Sequence, residues 1–318
     1  MNERDQITNP ISQILDSYPL VVLDGAMGTE LSARGADLND PLWSARLLTE
    51  QPDLIRAVHA DYYAAGADVA TTASYQATFE GFARRGFSQE QTADLMRLSV
   101  RLAAEARDVF WADGLNRQNR PRPLVAASVG PYGAYLADGS EYRGDYGLSI
   151  ADLMDFHRPR MAVLAESGAD ILACETIPCL DEARAIVRLL DEFPRVWAWV
   201  SFSARDGDST HYGELIADCA TEIGAHQRVT SVGVNCTAPE HIASLVRKMH
   251  AATDKPILTY PNSGESYDPS TKTWGGVGSC DVFASDAQTW YTAGARVIGG
   301  CCRTTPTHIR ALVETLRI

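Results

Sequence analysis

Three cysteines and two carboxylates are the residues of this sequence best suited to chemistry. Cys301 and Cys302 are adjacent, in GGCCRTTP at 299 to 306, and Cys236 ends the run VGVNC. Adjacent cysteines rarely bridge each other, because a vicinal disulfide is strained. The pair also lacks the two-residue spacer of a redox motif or zinc ribbon. Three thiolates that leave one coordination position open are a known form of catalytic zinc site, and soft sulfur selects zinc over magnesium or calcium. Gly299 and Gly300 would let the backbone curl, so that consecutive residues both reach one ion. Asp24, in DGAMGTE, and Glu175, in CETIP, supply the acids. Against this stands the plain role of a buried cysteine as a small apolar residue. The two acids could equally be ordinary ion-pairing or capping groups.

These residues matter together only if the fold gathers them. Eight short apolar, β-branched runs recur: PLVVLD (19 to 24), DVATTAS (68 to 74), PLVAASVG (123 to 130), DILACE (170 to 175), VWAWVSF (196 to 202), VTSVGVN (229 to 235), KPILTY (255 to 260) and RVIGG (296 to 300). They lack the alternation of a half-solvated sheet and suit strands buried on both faces. Between them lie helical patterns. In PDLIRAVHADYYAAG, Leu54, Ile55, Val58 and Tyr62 share a face, with Pro52 for the first turn and Gly66 for the C-cap. SQEQTADLMRLSVRLAAEARDVF repeats the pattern, and TPTHIRALVETL offers Thr305 as N-cap and Pro306 as first helical residue. GADV, GADI and GARV, at 66, 168 and 294, repeat one helix-to-strand junction.

Eight such units of about 40 residues are the arithmetic of a (β/α)8 TIM barrel, whose active site lies at the C-terminal ends of the strands. An open doubly wound sheet loses ground because no GxGxxG follows the first strand. On the barrel reading Asp24, Glu175, Cys236, Cys301 and Cys302 converge on one mouth. Thr72, Ser74, Tyr75, Asn235 and Asn262 stand at strand ends as candidate lining of a substrate pocket. Cys174 should face away from Glu175, because neighbouring strand residues face opposite sides. Cys174 and Cys219 read as core; Cys179 and Cys280 have no evident partner. His308 reads as a surface or outer-layer residue, and Arg303 as a minor candidate for an anion.

Composition narrows the class. The chain has 318 residues and a net charge of −13, with 28 Lys plus Arg against 41 Asp plus Glu. RPR at 158 to 160 is the nearest thing to a basic cluster, which argues against nucleic acid or an anionic membrane as partner. No apolar run is long enough to span a membrane. The first residues lack a basic-then-apolar leader pattern. A cytoplasmic location with reduced thiols follows as the expectation.

The motifs carry a resemblance. DGAMGTEL, TTASYQAT, SVGPYGAYLADGSEYRGDY, LACETIP, GVNC, YPNSGE and IGGCCRTTP are similar to the homocysteine S-methyltransferase family, from about Leu20 to the C-terminus. The long SVGPYGAYLADGSEYRGDY stretch resembles the branch that uses S-methylmethionine. The resemblance implies one homocysteine-binding barrel over residues 1–318, with 1–18 an N-terminal extension. It implies one Zn2+ per chain on Cys236, Cys301 and Cys302, with no protein nucleophile. It implies that Asp24 and Glu175 hold the homocysteine ammonium, and that the backbone at Gly25 and Ala26 receives its carboxylate. The zinc-held homocysteine thiolate would attack a sulfonium methyl group, from S-methylmethionine or S-adenosylmethionine, giving methionine. The expected partners are small molecules only, and a monomer is the default. The residues alone leave two rivals: a zinc hydrolase on the same barrel, and a non-catalytic zinc or redox thiol protein.

Overall fold

A computed structural model describes residues 8–38, 40, 42–268, 273–275 and 278–317. Eight parallel strands form the barrel: β1 Val21–Val22, β2 Val69–Thr71, β3 Leu124–Val129, β4 Ile171–Ile177, β5 Ala198–Phe202, β6 Val229–Asn235, β7 Ile257–Tyr260 and, after the hairpin β8 Ser266–Asp268 and β9 Thr273–Gly275, β10 Ala295–Ile298. Their order is β1-β10-β7-β6-β5-β4-β3-β2. A parallel bridge between Leu23 and Val69 joins the two ends. The Asp24 amide donates to the Val69 carbonyl at 3.1 Å and the Asp68 amide to the Val22 carbonyl at 2.7 Å, which closes the ring.

Side chains alternate across the barrel wall. Ile171 and Ala173 point to the interior cluster, whereas Leu172 and Cys174 pack outward among the helices. Period two therefore turns Glu175 inward and Cys174 outward, as expected. The repeated junctions also hold: Gly66, Gly168 and Gly294 have φ of 113°, 86° and 123°, a conformation that favours glycine. In the first two, the following aspartate ties down the preceding strand. Asp68 accepts the Val22 amide at 2.8 Å and an Arg317 N–H at 2.9 Å. Asp170 accepts the Val125 amide at 2.7 Å and an Arg107 N–H at 3.1 Å.

The N-terminal extension has a definite place. Asn9 caps a helix over Pro10–Leu15, its Oδ1 accepting from the Ile11 and Ser12 amides at 3.0 and 3.2 Å. Ile11 and Ile14 are buried with Val21, Ile171, Trp199 and Val297, and Leu124 and Trp197 pack against them. The helix thus closes the floor of the barrel, opposite the mouth.

The last helix, Pro306–Leu316, begins with Thr305 and Pro306 as predicted, and of the two readings of His308 the surface one fails. His308 is 6% exposed, its ring stacks edge-on against Phe283, and its Nδ1 accepts the Thr305 amide at 3.2 Å, completing the cap.

A thiol cluster at the barrel mouth

The three cysteines meet. Cys236 Sγ lies 3.6 Å from Cys302 Sγ, which lies 4.0 Å from Cys301 Sγ. All three sulfurs fall within 4.8 Å of one another, the one such group among the described residues. A tetrahedral ion with Zn–S bonds of about 2.3 Å has ligand-to-ligand edges of about 3.8 Å. The donor set and its spacing fit zinc. The other four cysteines are free thiols elsewhere, with Cys174 and Cys219 in the core.

The backbone explains how adjacent residues reach one centre. The expectation of a glycine-driven curl is replaced by close approach: neither Gly299 nor Gly300 has a positive φ. A Cβ on Gly299 would stand 2.5 Å from Leu23 Cβ and 2.8 Å from the Asp24 carbonyl oxygen. A Cβ on Gly300 would collide with Thr304. The Gly300 amide instead donates to Asp24 at 3.0 Å, and the Cys301 amide to Pro261 at 2.7 Å. The loop is wedged between the ends of β1 and β7. Thr304 then turns the chain back, donating its hydroxyl to the Cys301 carbonyl at 2.6 Å. We expect Gly300→Ala to push Thr304 off this contact, at a cost of about 1–3 kcal/mol. A lower melting temperature and weaker metal retention would show it; an unchanged melting curve would count against the wedge.

Among the described residues, three at the mouth other than glycine have positive φ: Thr176 (61°), Cys236 (50°) and Arg303 (69°). Such strain persists where surrounding structure enforces it. Asn235 does so here. Its Oδ1 accepts the Thr176 amide at 2.7 Å and the Ser201 hydroxyl at 2.9 Å, and its Nδ2 donates to Thr176 Oγ1 at 2.8 Å. Asn235 is fully buried and braces β6 against β4, so its carboxamide is not part of the pocket surface. Thr72 and Ser74 behave alike. Their hydroxyls lie 2.8 Å apart, Ser74 donates to the Ser128 carbonyl at 2.8 Å, and the Ser128 amide donates to Thr72 at 3.1 Å. Asn262 is half-buried at the lip, with its Oδ1 unpartnered among the described residues. Arg303 is engaged by Glu265 at 2.6 Å.

The acids sit deep. Asp24 accepts the Thr71 amide at 2.7 Å and the Thr71 hydroxyl at 3.0 Å. Glu175 accepts the Ser128 hydroxyl. Burial, with a smaller contribution from Glu175, pushes Asp24 up to about 8, and burial pushes Glu175 up to about 7. Each therefore favours a cation beside it. Gly25 is pressed between Thr304 and Tyr62. The Ala26 amide, expected to receive a carboxylate, is already given to Thr304 at 3.2 Å, to both its carbonyl and its hydroxyl.

Sequence reasoning missed Tyr142. Its hydroxyl lies 3.3 Å from Cys236 Sγ, and its ring stacks edge-on against His211. Hydrogen bonds from Cys301, Cys302 and Tyr142 hold the Cys236 thiol well below its usual range, despite burial. Behind this loop lies a buried relay. Arg160 donates to the Gly130 carbonyl and, at 2.6 Å, to His157 Nδ1; His157 Nε2 lies 2.8 Å from Glu182, which accepts the Tyr132 amide at 2.6 Å. With Nδ1 accepting, Nε2 carries the proton, and burial holds the imidazole neutral, down to about 4. The relay clamps Gly130 to Tyr132, the start of the segment that delivers Tyr142. No periodic signal could have found Tyr142, which sits on a turn, or shown that His157 and Arg160, on the helix Ile150–Ala165, and Glu182, on Leu180–Leu190, meet behind it.

Comparison with known proteins agrees with this arrangement. The family model for homocysteine S-methyltransferase matches residues 21–316. The chain is 59% identical to homocysteine S-methyltransferase YbgG of Bacillus subtilis (strain 168), over 97% of this chain and 98% of that one. It is 49% identical to homocysteine S-methyltransferase of Escherichia coli (strain K12), over 96% and 97% of the two. The crystal structure of the homocysteine methyltransferase MmuM from Escherichia coli in its metallated form superposes with a TM-score of 0.87 at 46% identity, covering 98% of this chain and 100% of that one. With a barrel, a three-sulfur mouth and a full-length match, the chain belongs to the homocysteine S-methyltransferase family.

Proposed function

We propose that the chain moves a methyl group from a cationic sulfonium donor, S-methylmethionine first and S-adenosylmethionine second, to the sulfur of homocysteine. In this reading Cys236, Cys301 and Cys302 hold one Zn2+. The observation that carries it is the placement of three sulfurs at tetrahedral spacing beside two buried carboxylates. Bound zinc would supply a lowered thiol pKa, so that the acceptor sulfur reacts as thiolate near neutral pH.

The residues do the remaining work. Asp24 and Glu175 take the homocysteine ammonium and so orient its sulfur toward the cysteines. Tyr142 donates to Cys236 and keeps it from turning away. The new bond joins the acceptor sulfur to the methyl carbon; the old carbon–sulfur bond breaks and its electron pair stays on the donor sulfur. That sulfur leaves as a neutral thioether, so no general acid is needed. The free thiols suit a reducing compartment such as the cytoplasm, and no described helix is long and apolar enough to cross a membrane. Nothing in the arrangement needs a second copy, so we propose a monomer.

The test is methionine formation from homocysteine by the zinc-loaded protein, with S-methylmethionine, S-adenosylmethionine and betaine in parallel. Turnover is expected with S-methylmethionine above the others. Turnover with betaine alone would overturn the sulfonium reading.

A further inference from the structure

One carboxylate at the mouth is not used by the steps above. Glu141 lies on the turn Ser140–Tyr142. Gly133 lacks a side chain where a Cβ would collide with the Glu141 amide, so the turn lies flush on the helix Tyr132–Leu136. Ser203, just past β5, donates to the Glu141 carbonyl at 3.3 Å. The next residue, Tyr142, touches Cys236 at 3.3 Å. Glu141 is thereby fixed at the edge of the thiol site. Its Oε2 is buried with no hydrogen-bond partner among the described residues. Burial raises the Tyr75 phenol well above its usual range, and the charges of Glu141, Cys236 and Glu175 raise it too. A buried carboxylate oxygen without a partner is costly, and a site that retains one has a use for it.

Among the described residues, the nearby cations are taken. Arg143 faces Asp138 at 3.6 Å, Arg205 faces Asp206 at 3.3 Å and Arg303 faces Glu265 at 2.6 Å. Burial drives His211 toward its neutral form. Asp24 and Glu175 are held separately, by Thr71 and Ser128. Homocysteine brings one ammonium, and two acids already meet it. Glu141 is left for the second substrate.

An S-methylated amino-acid donor carries two positive groups. The sulfonium loses its charge as the methyl departs, so a carboxylate beside it would favour the ground state over the transition state. The α-ammonium keeps its charge throughout. We infer that Glu141 binds the α-ammonium of the methyl donor and so selects α-amino-acid sulfonium compounds. This rests on the sulfonium reading above.

The experiment compares zinc-loaded wild type and Glu141→Gln with two donors: S-methylmethionine and 4-(dimethylsulfonio)butanoate, which lacks the amino group. Both are also followed by calorimetric binding, so that a ligand that binds without transferring still reports. Glu141→Gln is expected to weaken S-methylmethionine about tenfold or more, the worth of a hydrogen bond to a charged group. The desamino compound and the KM for homocysteine should stay within about twofold, the loss being confined to that one bond. An equal loss on both donors, or none on either, overturns the assignment. A wild type that binds S-methylmethionine yet transfers from neither sulfonium brings down the donor reading instead.

Discussion

Cys236→Ser is expected to leave the protein folded, strip it of metal and stop methyl transfer. Serine keeps the size of the side chain but replaces a soft thiolate by a hydroxyl that stays protonated and binds zinc weakly. Shared evenly, the roughly 10–16 kcal/mol of a four-ligand zinc site gives each ligand about 3–4 kcal/mol, or a factor of roughly 100–1000 in affinity. Cys236 is the ligand to choose because both other sulfurs and Tyr142 converge on it. Cys219→Ser serves as control, since Cys219 is a core thiol on the helix Ile216–Gly224. The measurement is zinc per chain after dialysis against a competing chelator, with methionine formation alongside. A Cys236→Ser protein that keeps one zinc and normal turnover would sink the proposed ligand set.

How much of this was readable in the residues depends on where they sit. The barrel strands were, because burial on both faces leaves apolar runs and glycine-ended helices punctuate them. β2 was read too long: Thr71 ends it, the Thr72 amide makes a last bond to the Ala126 carbonyl, and the hydroxyls of Thr72 and Ser74 bond Ser128. The thiols and acids at strand ends were found because the barrel assigns strand ends to one mouth. The floor helix was missed, although Asn9 followed by Pro10 is an N-cap signal; its six residues are too few to show a period. Tyr142, Glu141 and His211 were invisible for a different reason. Loop residues carry no periodicity, and their reach toward Cys236 depends on tertiary clamps such as Gly133 and the Arg160–His157–Glu182 relay. Asn235 was seen at the right place with the wrong job, because sequence cannot tell a side chain that lines a pocket from one that braces its wall.

Asp24→Asn should show function and stability pulling apart. Unfolded, the Asp24 carboxyl titrates near 3.9; in the empty fold burial raises it to about 8. The folded chain therefore holds a proton that the unfolded chain has lost. Stability from this group is fully present below about pH 4, falls as pH rises between about 4 and 8, and stays reduced above that, by on the order of a few kcal/mol. Asparagine cannot ionise and still offers Oδ1 to the Thr71 amide. The metal-free variant should thus melt a few degrees above wild type at pH 8.5 and match it near pH 4. Homocysteine affinity should move the opposite way. Loss of one partner of a buried charge pair costs about 2–5 kcal/mol, so binding should weaken by roughly 30-fold or more. In the wild type the same titration makes homocysteine bind tighter as pH rises through the range of Glu175, near 7, and Asp24, near 8. Melting curves at the two pH values and homocysteine binding from pH 6 to pH 8.5 decide it. Equal melting at pH 8.5 with unchanged homocysteine binding would mean that Asp24 meets solvent rather than an ammonium.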